Sequence, residues 1–359
     1  MTQNPPPPAP SSLPVTDVPW QDASVLLNPG PEKRQPMQGF DERIVDIVDY
    51  HLRGTHWIWE ERGVGRIYNQ YGHNAPVWVP GGVVEDREGV IANTLQVQHT
   101  FPDRRLYTDD VIWRHEPDTE VYHFSAAFTN SGHHWGYGPW GPPTGKKLTW
   151  GVLCNCVASE NRITEEWLIR DELAILQQLG RDPWELARSL VSEEAVPEGL
   201  SSLERSQGQQ APQVAPRRSG DFDLEDFLRA YLHDLWNVRL LNRVRECCAP
   251  NVRLRVQGNR RLYGTGDYVA RITALLAQFP DAVFTVDDLY FVPDRLKRRQ
   301  KASVRWTLQG THEGWGPLGK PTGRRIRVMG LSHLYVKEEK IDEEFSLFST
   351  VDLMRQLLT

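Results

Sequence analysis

One internal repeat constrains this chain more than anything else in it. Phe101-Pro102-Asp103 returns as Phe279-Pro280-Asp281, 178 positions later (279 minus 101), and Pro143-Thr144-Gly145 returns as Pro321-Thr322-Gly323 at the same spacing. Ile163 and Glu165 likewise meet Ile341 and Glu343, and the glycines, one histidine and one proline of Gly132–Gly141 fall on those of Gly310–Gly319. Unrelated segments would have lost this register through insertions, so the chain holds two copies of one domain. At 359 residues it is also longer than one hydrophobic core usually organises.

The breaks in composition agree. Residues 1–38 carry Pro5-Pro6-Pro7-Pro8-Ala9-Pro10 and little apolar periodicity, which predicts a flexible arm. Residues 195–220 carry Pro197, Gly199, Gly208, Pro212 and Pro216, the makings of a linker. The expected units are therefore domain 1 over 39–194 and domain 2 over 221–359.

Each copy opens with helical spacing. Asp41 is placed to cap a helix whose Ile44, Ile47, Val48, His51 and Leu52 share a face, and Phe227, Tyr231 and Leu235 do the same in domain 2. A further helix begins near Thr265 and stops at Pro280. Strands follow over Val121–Asn130, Lys147–Ala158 and Arg162–Asp171, and over Lys301–Gly310, Arg324–Lys337 and Lys340–Ser349. Short helices, Glu172–Leu179 and Val351–Leu358, close the copies. Helices first and a meander second is an α+β pattern with antiparallel neighbours.

Composition narrows the partners. Forty-one basic against 47 acidic side chains leave a net charge of −6, which gives a polyanion no electrostatic hold, so nucleic acid is not an expected partner. The one basic run, Arg295 to Lys301, reads as a solvated hairpin turn. No apolar stretch reaches the roughly 18 residues a membrane span needs, and the prolines of the first 19 residues do not suit a secretory signal, so a cytoplasmic location is expected. Cys154, Cys156, Cys247 and Cys248 lack the paired spacing of a zinc site and read as reduced, half-buried thiols; a metal held by Cys154, Cys156 and a histidine is the alternative.

Two helices, an F-P-D, a G-x-H-x-G…P-T-G segment, a strand hairpin, then Glu165-Glu166-Trp167-Leu168-Ile169-Arg170-Asp171 and Leu176-Gln177-Gln178-Leu179-Gly180 together resemble the SnoaL-like polyketide cyclase family of the NTF2-like superfamily. The resemblance covers both copies but neither the arm nor the linker. It implies two tandem NTF2-like cones, each a strongly curved, mostly antiparallel sheet wrapped on its N-terminal helices around a pocket. It implies cofactor-free acid/base chemistry on a small polyketide-like or activated-carbonyl compound, an aldol-type cyclisation or an isomerisation, with an Asp of the last strand as the general acid/base. It also implies that the copies pair through their sheets as an intramolecular pseudo-dimer, with further homodimerisation open. The alternative is a non-catalytic small-molecule-binding protein on the same fold.

The candidate residues follow. Period-two alternation puts Ile163, Glu165, Trp167, Ile169 and Asp171 on one strand face, and a carboxylate beside Trp167 and Ile169 would be desolvated toward neutral pKa. Asp171 is the expected base; its other reading is a cap for the Glu172–Leu179 helix. His134, matched by His312, is an oxyanion donor or a residue that ties down the glycine-rich loop. His73, in Tyr71-Gly72-His73-Asn74, binds a carbonyl oxygen or lies on the surface, and His123 is a pocket residue or a core histidine. Glu165 and Trp167 are expected to bind substrate, and Trp135 and Trp140 to form an aromatic lip or to pack on the sheet. Asp103 and Asp281 read as structural turn residues. No metal is expected. Asp171 falls on Ser349 in copy 2, so domain 2 is expected to be degenerate.

Overall fold

The computed structural model describes residues 13–18, 23–191, 220–295 and 297–359. It contains two separate six-stranded sheets of identical topology. In the first, β1 (Val77–Val79), β2 (Gly82–Val84), β3 (Arg105–Glu116), β4 (Val121–His133), β5 (Lys147–Ser159) and β6 (Arg162–Arg170) are ordered β2-β1-β6-β5-β4-β3. In the second, β7 (Cys248–Val256), β8 (Arg260–Tyr263), β9 (Val283–Asp294), β10 (Arg299–Thr311), β11 (Arg325–Lys337) and β12 (Lys340–Phe348) repeat the order as β8-β7-β12-β11-β10-β9. Among these twelve strands β1 against β6 and β7 against β12 run parallel, and the other pairings are antiparallel.

The helices Ile47–Trp59 and Arg87–Thr100 cover the inner face of the first sheet, through Ile47, Val48, Tyr50 and Val97 against Phe124, Phe128, Val152 and Ile163. Burying such side chains is worth about 1.5–3 kcal/mol each, which is what holds the helices down. The Ile47–Trp59 helix starts five residues later than the sequence suggested: Asp46 caps it by accepting the Asp49 N–H, while Asp41 organises a turn with Arg43. β1, β2, β3, β7, β8, β9 and the Arg87–Thr100 helix were not among the segments located from the residues. The closing helices Glu172–Leu179 and Thr350–Gln356 appear as expected, within a residue or two.

The arm is not simply free. Val18 and Met37 are buried, and the Thr16 hydroxyl and N–H both donate to Asp46. Residues 1–12 and 19–22 of the expected arm, and the linker before Gly220, lie outside the described residues. Among the described residues, no helix is long and apolar enough to cross a membrane.

The two sheets pack on each other by their outer faces. Ala127, Leu153 and Ile169 meet Leu331, Phe345 and Leu347, and Ile112 meets Tyr290 and Val292. Polar pairs cross the same interface: Lys301 Nζ donates to Asp110 at 2.7 Å, Tyr335 donates to Asp110 at 3.0 Å, and Asn155 donates to the Tyr290 hydroxyl at 2.9 Å. The basic run is accordingly less solvated than its composition suggested, because Lys301 also meets Asp17, and Arg299 is paired with Asp294, Asp342 and Glu343.

Candidate functional site

A one-residue irregularity decides which side chains reach the interior of domain 1. Val157 of β5 pairs with Glu165 and Ala158 with Ile163, so Thr164 is an extra residue on β6. Such a bulge reverses the strand's alternation beyond it. Ile163 points inward, but after Thr164 the inward residues are Glu166, Leu168 and Arg170, and these line a cavity between the sheet and its helices. Asp342 is the matching extra residue of β12.

The cavity is largely apolar, with Ile58, Ile67, Val77, Leu106, Phe128 and Val152 in its wall. Its polar groups are few and buried. The Glu166 carboxylate accepts a hydrogen bond from Tyr71 at 2.7 Å, and burial, only partly offset by that bond, pushes its pKa up to about 7. His51 lies between Phe124 and Phe128, 4.9 and 5.4 Å away; burial takes it down to about 3, so it is neutral, and its Nε2 has no partner. Arg104 donates from Nε to Asn130 at 2.8 Å and stacks 3.9 Å over Trp59. Cys154 and Cys156 sit on β5 opposite Leu168 and Glu166.

Cys154, Cys156 and Glu166 are the one group among the described residues whose donor atoms, within 4.8 Å of one another, are close enough to share an ion. Burial holds the Cys156 thiol well above its ordinary pKa, so a metal would first have to displace its proton, and it would have to compete with the Tyr71 hydrogen bond for Glu166. The four cysteines are free and fully buried rather than half-buried.

The face expected to line the pocket is instead the domain interface. Asp171 caps the Glu172–Leu179 helix by accepting from Ala174 N at 3.1 Å, and its carboxylate also accepts from Gly258 N at 2.9 Å and Asn259 N at 3.0 Å, both of domain 2. Burial raises its pKa, but it does not line the cavity. Ser349 caps the equivalent helix by accepting from Asp352 N, so the two copies exchange one N-cap residue for another at this position. Trp167 packs under the Arg305 guanidinium at 3.7 Å, and Glu165 is exposed. His123 bonds Glu116 at 2.9 Å and lies 6.3 Å from Tyr290, on the interface side.

The remaining candidates are also placed elsewhere. His134 is fully buried against Phe101, its Nδ1 is 3.2 Å from Thr144, and its carbonyl accepts from Thr144 N and Gly145 N. His312 repeats this with Phe279, Thr322 and Gly323, which is the loop-tying arrangement. His73 is exposed; Tyr71, two residues earlier, is the residue that enters the cavity. Trp135 is 53% exposed and stacks on His133, while Trp140 is 1% exposed and packs on Phe101, so neither forms a lip. Asp103 and Asp281 hold His133 N and Thr311 N, the structural turns expected of them.

Domain 2 has filled the equivalent space. In the repeat register Leu106, Phe128, Val152 and Arg170 become Phe284, Trp306, Gly330 and Phe348. Phe284 stacks on Trp306 at 5.0 Å, Phe348 meets Trp306 edge-on at 6.1 Å, and the indole lies where a Gly330 side chain would be. Glu166, in contrast, is kept as Glu344, which is buried and accepts from the Tyr268 hydroxyl. That retention was the available signal for Glu166, and alternation alone had pointed it away from the pocket.

A family model described as SnoaL-like polyketide cyclase matches residues 66–179 and again 226–357. Among solved structures, a protein assigned as a SnoaL-like polyketide cyclase from Jannaschia sp. CCS1 is 16% identical, with a TM-score of 0.33 over 39% of this chain and 97% of its own. IdmH from Streptomyces antibioticus, assigned as a polyketide cyclase, is 22% identical with a TM-score of 0.33 over 38% of this chain and 98% of its own. A SnoaL-like polyketide cyclase from Agrobacterium tumefaciens strain C58 is 22% identical with a TM-score of 0.31 over 38% and 98%. No curated protein matches. At these identities the likeness carries no argument about chemistry.

Proposed function

Because this chain belongs to the SnoaL-like polyketide cyclase family, whose model it matches twice, we propose that the domain 1 cavity is an active site for cofactor-free acid/base catalysis on a small polyketide-like or activated-carbonyl compound. Glu166 takes the role first sought in Asp171. The observation that carries this reading is a buried carboxylate in a mostly apolar cavity with a pKa of about 7, able both to take and to return a proton near neutrality.

The chemistry follows from the groups present. Glu166, as the carboxylate, removes a proton from carbon next to a carbonyl. The electron pair moves onto that oxygen, where the charge that develops needs a donor. The neutral His51 imidazole, whose Nε2 is buried in the cavity without a partner, supplies one as an N–H. The resulting enolate carbon attacks a second carbonyl of the same molecule, closing the ring, and the protonated Glu166 returns its proton to the new alkoxide. In an isomerisation the proton returns to a different carbon instead. Tyr71 holds the carboxylate in place throughout.

Glu166→Gln keeps the shape and the Tyr71 contact while removing the proton acceptor. It is expected to cut turnover by a factor of about a hundred to ten thousand with ligand affinity retained. Wild-type turnover in a folded Glu166→Gln protein would take the acid/base role away from Glu166, whereas binding of such compounds by wild type without any turnover would favour a binding protein on this fold. In the wild type, kcat/KM should rise with pH through about 7 and then level off, as expected for a base that must be ionised.

A further inference from the structure

The cavity of domain 1 is charged in a way that general acid/base chemistry alone does not require. Two arginines line it, Arg104 from the start of β3 and Arg170 from the end of β6, against one carboxyl group, Glu166. Arg104 Nη1 is fully buried and has no hydrogen-bond partner, its Nε being used by Asn130. Arg170 has no side-chain hydrogen bond among the described residues and rests 5.4 Å from the Trp140 ring. The two guanidiniums are close enough to oppose each other's charge: burial takes Arg104 down to about 9, with Arg170 adding to the effect. Glu60 and Glu172 act on Arg104 and Arg170 from outside the cavity, and Glu166 is at most half ionised near neutrality.

A buried guanidinium donor left without a partner, as at Arg104, is costly unless something completes it; Arg170 beside it is only partly exposed and has no side-chain hydrogen bond among the described residues either, and a planar oxyanion matches the guanidinium fork. Domain 2, whose interior is filled, has Ala282 and Phe348 at these two positions while keeping the glutamate. The arginines thus go with the open cavity and not with the fold.

We propose that Arg104 and Arg170 form an anion subsite, so that the compound taken by this cavity carries a carboxylate. This deepens the reading of the cavity as a substrate site and rests on it. Arg170 lies four residues beyond Glu166 on one strand, a separation of about 13 Å between backbones. A ligand held by the guanidiniums therefore presents to Glu166 a carbon at some distance from its anionic end, not the carbon that bears the carboxylate.

The test is calorimetric titration of the full chain at about pH 8 with benzoate and 2-naphthoate, each against its isosteric amide. The acids are expected to bind at least about tenfold more tightly than the amides. Arg104→Gln and Arg170→Gln should each lower that preference toward unity and leave amide affinity unchanged, and Glu166→Gln should retain it. Equal or tighter binding of the amides by wild type overturns the proposal, as does binding of neither probe at about 10 mM, or a preference that survives in the double arginine variant. If a variant does not fold, the wild-type acid-to-amide ratio decides. Loss of turnover on Glu166→Gln is a separate result, so the catalytic reading and the anion subsite can fail independently.

Discussion

Glu166 owes its properties to two opposed effects, burial that favours the neutral acid and a Tyr71 hydrogen bond that favours the anion, and burial wins. The balance has a stability consequence. A carboxyl raised from 4.5 to about 7 keeps its proton in the folded state where the unfolded chain has already lost it. Its favourable contribution is complete below about pH 4.5 and is lost as pH rises through 7, a change of about 3 kcal/mol. Glu166→Gln should therefore melt at a higher temperature than wild type at pH 8 and show no gain at pH 4, a difference that thermal melts across pH would read. Asp171 is expected to behave in the opposite way with respect to activity. Its carboxylate accepts three backbone N–H groups, and an amide cannot accept them all. Asp171→Asn should cost about 1–3 kcal/mol in denaturant unfolding while turnover by the folded protein persists. Turnover lost from a folded Asp171→Asn protein would return the chemistry to that residue.

At the scale of elements, the two copies share strand order and the position of the bulge, yet one encloses a cavity and the other a packed aromatic cluster. Trp306 is the centre of that cluster, 5% exposed and stacked on Phe284, with Gly330 beneath its indole. Trp306→Ala should destabilise the protein by about 3–5 kcal/mol and open a cavity in domain 2. Indole added to the variant should recover part of the lost melting temperature. No recovery, together with a loss below about 1 kcal/mol, would mean that the cluster is not what fills this copy. The element that misleads is β6: with Thr164 unpaired, the residues that alternate with Ile163 up to the bulge exchange faces after it.

For the whole molecule, the interface between sheets explains why both outer faces are apolar and why charges lie between them. Asp110 and Lys301 form a buried pair there, and their repeat partners Asp288 and His123 lie on the same interface. Removing one member of such a pair leaves the other uncompensated, at a cost of about 3–5 kcal/mol. A chain cut at a protease site engineered within residues 195–221 should remain one species on size-exclusion chromatography. The same cut in a Lys301→Met chain should release two halves. Separation of the halves without the substitution would show that the covalent connection, and not the interface, keeps the copies together.

Much of this was legible in the residues. The repeat, with its constant spacing, determined two copies of one α+β domain, and local patterns located the long hairpins, the closing helices and the turns held by Asp103 and Asp281. His134 was open to two readings, oxyanion donor or loop tie, and the structure gives it and His312 the second, in an open copy and a filled one alike. The site was less legible. β6 is covered on both faces, by helices on one side and by domain 2 on the other, so apolar residues do not distinguish cavity from interface. Only the tertiary structure decided between them, since a single unpaired residue, Thr164, reverses the strand's alternation and sets Glu166 and Arg170 inside while turning Trp167 toward Arg305 and Asp171 toward the turn of domain 2.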